Sequence, residues 1–248
     1  MSPSLTIAVP TIGRPCLTDT LASIARQDLH VDDQVLIVYD SFASDPQHAL
    51  ATRQLVEDYG FTFLQYNGWV HFFGNPQLNH AIELATGDYF CALGDDDVYV
   101  DGAIARMRKA LAPGRALLFQ FLSPPYLAIN DPRRVLLWSD RQLRVANISG
   151  CCLAAPRAAL VPVSRDLRIE VDYEWIINIV AKTGQPPKWL KACLIIARPD
   201  VRNGETVHQG IGECRGCGGV GFLEDFDTDQ VCGACAPSVL REFLETYG

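Results

Sequence analysis

No apolar run in this 248-residue chain reaches the length needed to cross a bilayer, and no clear amphipathic segment faces a membrane. The expectation is a protein without a transmembrane segment. Internal repeats and low-complexity tracts are also missing, which excludes solenoids and compositionally disordered tails. A glycine-rich phosphate loop is absent near the first apolar run, where Gly13 stands alone, and this argues against a nucleotidyltransferase. Disulfide patterning is scarce too: Cys16, Cys91, Cys151, Cys152 and Cys193 sit in or beside apolar segments without paired spacing, and no signal-peptide pattern opens the chain. A reducing, cytoplasmic location is therefore expected.

What is present suffices for one sizeable domain, since 48% of the residues are hydrophobic. Leu5 to Pro10 and Val35 to Asp40 read as strands, as do Phe61 to Leu64 and Asp88 to Gly94. Helical spacing runs through Leu17, Leu21 and Ile24. A second helix opens at Asp45-Pro46 and stops near Gly60, and a third opens at Asn75-Pro76 and stops at Gly87. Strands alternating with helices predict an α/β fold with a mostly parallel sheet covered on both faces. Ligands of such sheets bind beyond the carboxyl ends of the strands, where Thr11, Asp40 and Asp95 to Asp97 are expected.

The consecutive carboxylates Asp95-Asp96-Asp97 are the most informative feature. Adjacent aspartates repel one another, so a fold that keeps them together commonly neutralises them with a hard cation, Mg2+ or Mn2+, whose shell is completed by water and substrate phosphate oxygens. The plainer alternative is a solvated acidic turn that, with Asp101, caps the following helix.

Val9-Pro10-Thr11 with Arg14, Val38-Tyr39-Asp40-Ser41, Asn79 in a helix ending Ala85-Thr86-Gly87-Asp88-Tyr89, and Leu93-Gly94-Asp95-Asp96-Asp97 resemble family-two glycosyltransferases of the GT-A fold. The resemblance is dense over residues 5–110 and thinner to about 205. It implies a GT-A domain over 1–205, with a donor half at 1–100 and an acceptor half at 101–205. It also implies a nucleotide-sugar donor, UDP-sugar favoured, bound by Pro10, Thr11, Arg14, Asp40, Asn79 and Asp95. Asp96 and Asp97 would hold the cation, Asp96 foremost; Gly94 stands where many relatives carry a further aspartate, which leaves open which of the three touches the metal. Glu170-Val171-Asp172-Tyr173-Glu174-Trp175 is similar to the acidic pair that precedes an apolar helix in that family, which makes Asp172 the general base of an inverting transfer. On spacing alone, Asp172 is equally an ordinary partner of a helix dipole, and Glu170 and Glu174 remain substitutes. The stretch from Arg198 to His208 resembles the segment that closes over the donor phosphates. His208 is there a candidate third metal ligand, or simply a solvated histidine.

Cys214-Arg215-Gly216-Cys217 and Cys232-Gly233-Ala234-Cys235 are separated by fourteen residues, close to zinc-ribbon spacing. The expectation is a structural Zn2+ on Cys214, Cys217, Cys232 and Cys235, in a zinc-ribbon-like C-terminal element over 206–248 with a terminal helix. It either staples the tail or docks the acceptor.

Charge is unevenly spread: the net of -8 conceals an acidic excess in residues 1–100 and a basic excess in 101–168. Arg106, Arg108, Lys109, Arg133, Arg134, Arg141, Arg144, Arg157, Arg165 and Arg168 form this basic island. Its arginines either decorate helix surfaces and pair with the acidic flanks, or meet an anionic polymer such as DNA carrying a hydroxymethylated base. Phe119, Phe121, Tyr126 and Trp138 are either core aromatics or stacking platforms for such a base. Other acceptors are a protein side chain or a surface glycan. A different class is a nucleotide-sugar-binding protein without catalysis, for which Gly94 and Val171 are the warning residues.

Overall fold

The computed structural model describes residues 2–41, 46–67, 74–122, 143, 149–164 and 171–197. His208, the four tail cysteines, Glu170, Tyr126, Trp138 and Arg133, Arg134, Arg141, Arg144, Arg165 and Arg168 lie outside them.

The chain runs β1 (Leu5–Thr11), α1 (Leu17–Ala25), β2 (Gln34–Asp40), α2 (Pro46–Asp58), β3 (Thr62–Tyr66), α3 (Asn75–Leu84), β4 (Tyr89–Ala92) and β5 (Asp97–Tyr99). It continues through α4 (Ala103–Ala110), β6 (Leu117–Leu122), β7 (Leu153–Pro156), α5 (Val171–Thr183) and β8 (Lys188–Ala197). One eight-stranded sheet has the order β3-β2-β1-β4-β7-β6-β8-β5. The first four of these strands are mutually parallel, as the alternation of strand and helix predicts. The other half is mixed. β7 runs antiparallel to both β4 and β6, β6 and β8 are parallel, and β5 returns antiparallel along β8.

β1 and β2 are almost wholly buried because the sheet is covered on both sides, and a strand with two apolar environments needs apolar residues at every position. Alternation along β1 sends Leu5, Ile7 and Val9 to one face, where they meet Leu17, Leu21 and Ile24 of α1 and Ile104 and Met107 of α4. Ala8, with Leu36 and Val38 of β2, belongs to the opposite face, packed with Ala81 of α3 and Trp175, Ile176 and Ile179 of α5.

A buried ion pair pins α4 to the sheet. Arg108 reaches Asp33 at 2.6 Å and donates to the Pro3 carbonyl at 3.0 Å. The Asp33 carboxylate also accepts the backbone N–H groups of Leu5 (2.8 Å) and His30 (2.7 Å). Burial alone pushes the Asp33 pKa up, but the Arg108 bond and the two amides prevail and hold it below the ordinary carboxylate range. Asp101 does not cap α4 as the acidic-turn alternative anticipates. Gly102, at φ 71°, occupies the cap without a side-chain bond, and Asp101 faces Arg26 at 3.5 Å.

Candidate active site

The carboxyl ends of β1, β2 and β4 gather Thr11, Asp40 and the acidic triplet at one edge, as expected. Thr11 is 4% exposed; its hydroxyl donates to Asp95 Oδ2 at 2.7 Å and accepts the Gly13 N–H at 2.8 Å. Gly13 turns the chain at φ 81°, and a Cβ there would come within 2.6 Å of both His48 Nε2 and Thr52 Oγ1. That turn delivers Arg14 across the corner. Its Nε donates to Asp95 Oδ2 at 3.2 Å, Nη1 to Asp96 Oδ2 at 3.1 Å, and Nη2 to the other Asp95 oxygen. Burial opposes the guanidinium charge, yet the Asp95 bond and the charges of Asp95 and Asp96 more than offset it and raise the Arg14 pKa. Asp40 closes β2, 3% exposed, in register with Tyr66 of β3. Pro10 lies beside the start of α3, where a Cβ on Gly74 would come within 2.8 Å of it.

The three aspartates have three environments. Asp95 is enclosed, its side chain 5% exposed and bound by Thr11 and Arg14, whereas Asp96 is 21% exposed at the mouth of the corner. Asp97 folds back under the turn, where Oδ2 accepts the Gly94 N–H at 3.3 Å and the Cys151 thiol faces the same carboxyl. Burial, then the neighbouring Asp96, pushes the Asp97 pKa up to about 7 against those two donors. Asp96 is raised as well, by burial first and by Asp95 after it, with Arg14 opposing. A Cβ on Gly94 would lie 2.7 Å from Asp97 Oδ2, so the residue that departs from the family pattern is the one that lets Asp97 turn inward.

Among the described residues, no group of three or more His, Cys, Asp and Glu is arranged to hold a metal ion unaided. A Mg2+ or Mn2+ that keeps one or two carboxylates and takes its other ligands from water and a diphosphate fits Asp96, the most open acid, with Asp95 behind it. Asp97 spends its carboxyl on Gly94 and Cys151.

Asp172 stands in the first turn of α5. Its Oδ2 accepts the Gly150 N–H at 2.9 Å, and the Ser149 hydroxyl donates to the same carboxyl. Burial raises the Asp172 pKa; Gly150 and Ser149 pull the other way without cancelling it. Asn79 is not brought into the corner. Its amide is engaged at both ends by one residue, donating to the Val163 carbonyl at 2.9 Å and accepting the Val163 N–H at 2.7 Å, so it ties the segment before α5 to α3.

Sequence reasoning missed Ser149, Gly150 and Cys151. This short stretch lies far along the chain from both Asp97 and Asp172, and only its glycine and paired cysteines could have drawn attention to it. Within the basic segment 101–168, Arg108 pairs with Asp33, and Arg115 donates to the Pro186 carbonyl at 3.0 and 3.1 Å. Phe119 is core, 1% exposed.

A two-sided mixed sheet with an acidic corner at the ends of its parallel strands is the architecture of GT-A glycosyltransferases. S. aureus TarS in complex with UDP superposes with a TM-score of 0.59 at 15% identity, over 79% of this chain and 60% of that one. The mannosyltransferase PcManGT from Pyrobaculum calidifontis, in complex with GDP-Man and Mn2+, superposes with a TM-score of 0.55 at 20% identity, over 81% of this chain and 56% of that one. In sequence, residues 6–123, just under half of the chain, match the family model Glycosyl transferase family 2. A Campylobacter jejuni GalNAc(5)-diNAcBac-PP-undecaprenol beta-1,3-glucosyltransferase is 28% identical over 118 residues, 47% of this chain and 37% of that protein. The chain thus spans well under half the length of that curated relative.

Proposed function

We propose that the chain transfers a sugar from a nucleotide diphosphate sugar, UDP-sugar favoured, to an acceptor hydroxyl with inversion at the anomeric carbon. The observation that carries this reading is the corner in which Thr11, Arg14, Asp95 and Asp96 are hydrogen-bonded together beyond the parallel strands. Asp40 lies at the same edge, on the nucleotide side. TarS with UDP and PcManGT with GDP-Man and Mn2+ supply the donor class by analogy of fold. Asp96, backed by Asp95, would hold a divalent cation, which when bound neutralises charge on the departing diphosphate.

Asp172 is the general base. Its carboxylate takes the acceptor proton while the acceptor oxygen bonds to the anomeric carbon; the bond from that carbon to the phosphate oxygen breaks, and its electron pair leaves with the nucleoside diphosphate. A raised pKa suits this role, because a base works best when its affinity for the proton approaches the working pH. For the acceptor, a glycan hydroxyl is favoured. The Campylobacter relative, whose name is a GalNAc(5)-diNAcBac-PP-undecaprenol beta-1,3-glucosyltransferase, supports this by analogy. For residues 206–248, the structural zinc reading rests on cysteine spacing, and elemental analysis of the full chain decides it.

The direct test incubates the chain with a panel of nucleotide sugars, with and without Mn2+, and follows nucleotide release. Cation-dependent release from one donor is expected; no release from any donor overturns the enzyme in favour of a binding protein. Asp172→Asn should lower transfer by about 10²–10⁴-fold while leaving UDP affinity intact. Unchanged turnover in that variant moves the base elsewhere.

A further inference from the structure

The turn before β7 lies between Asp172 and the last member of the acidic triplet. On one side, the Gly150 N–H and the Ser149 hydroxyl converge on the Asp172 carboxyl, the former at 2.9 Å. On the other, the Cys151 thiol faces Asp97, the last member of the acidic triplet, which is itself bound to the Gly94 N–H. The two sides are joined within three residues, because Ser149 Oγ also accepts the Cys151 N–H at 3.3 Å and the Ser149 carbonyl accepts the Cys152 N–H at 2.9 Å. Beneath the turn lies Trp175 of α5, with its ring 3.4 Å from where a Gly150 Cβ would stand. Its indole N–H donates to the Val161 carbonyl at 2.9 Å, and its ring meets Phe90 edge-on at 6.4 Å. The turn therefore rests on a packed surface, and its donors have fixed directions.

We propose that Ser149 and Cys151 are positioning residues that set the Asp172 carboxylate relative to the donor corner. This rests on the glycosyltransferase reading above. A carboxylate on a short side chain is free to rotate about its last bond. Two donors from one turn remove that freedom and leave its remaining lone pairs to meet the acceptor proton. The thiol contact then ties the same turn to the loop that carries Asp95 and Asp96, so base and donor are held at one spacing. Small misplacements of a reacting group are costly in rate even where binding is unaffected.

Steady-state kinetics of Ser149→Ala and Cys151→Ala should show kcat lowered about 10- to 100-fold, with KM for the nucleotide sugar and UDP affinity unchanged, the range seen when groups that orient a reacting side chain are removed. Cys151→Ser, which keeps a donor at that place, should recover most of the loss. In an Asp172→Asn background, Ser149→Ala should cost nothing further, because the carboxylate it orients is gone. Cys151→Val, apolar and close in size, replaces the alanine variant if that one melts early. Unchanged kcat in both alanine variants, failure of Cys151→Ser to exceed Cys151→Ala, or loss of rate in step with loss of melting temperature overturns the proposal. A wild-type chain that is active and depends on Asp172, with indifferent turn variants, sinks the turn alone. A wild-type chain that releases no nucleotide sinks the reading beneath it as well.

Discussion

Asp95, Asp96 and Asp97 are identical side chains in consecutive positions, yet one is enclosed against an arginine, one opens outward and one turns in. That the triplet matters is legible in the sequence. The division of labour is not, because it depends on Thr11, Arg14 and Cys151, which reach the triplet only through the fold. Asp97 has a testable consequence of its own. Since its pKa is raised to about 7, the folded chain binds a proton there more readily than the unfolded chain does. The sign follows: the contribution to stability is fully present below the ordinary carboxylate range and is lost as pH rises through about 7. Asp97→Asn, which mimics the neutral acid, should therefore melt above wild type at pH 8 in chelator and converge with it near pH 4. Each kcal/mol recovered corresponds to about 2–4 °C. Melting curves that stay parallel across that range would show that the carboxyl is not strained by ionisation.

Elements were read with unequal success. α1, α2 and α3 follow from apolar spacing with proline at or near two of their starts, and β1 to β3 from short apolar runs between turn residues. β6, β7 and β8 escaped naming. Buried strands such as Leu-Leu-Phe-Gln-Phe-Leu have no alternation to separate them from a buried helix, and antiparallel insertion of β7 between β4 and β6 leaves no local mark. α5 takes in the acidic segment that the resemblance sets before an apolar helix: it begins at Val171, which places Asp172 inside the first helical turn. The Asp33–Arg108 pair is equally invisible in sequence, because an arginine on a polar helix reads as a surface residue. Its side chain is 7% exposed and that of Asp33 1%. Arg108→Ala should cost about 3–5 kcal/mol in urea unfolding, the penalty for leaving one partner of a buried pair uncompensated. A loss below about 1 kcal/mol would class the pair with exposed bridges instead. Asp33, held below its ordinary pKa, keeps its contribution at neutral pH and surrenders it only as pH falls through that lowered value.

At the scale of the whole molecule, the sequence suggests a donor half and an acceptor half, and the alternation in the first hundred residues makes the first of them plain. No comparable alternation marks the second. Tyr89, Phe90 and Cys91 of β4 pair directly with Pro156, Ala155 and Ala154 of β7, so one hydrogen-bonded ladder runs across the line that would divide the halves. Native-state hydrogen exchange should place the amides of β4 and β7 in the same slow class, opening together. Separate exchange rates for the two strands would restore the picture of independent units.

That shared ladder restricts how the two halves of the sheet can move. Opening a gap between β4 and β7 would break the backbone pairing of Tyr89, Phe90 and Cys91 with Pro156, Ala155 and Ala154, so the described sheet shifts as one body.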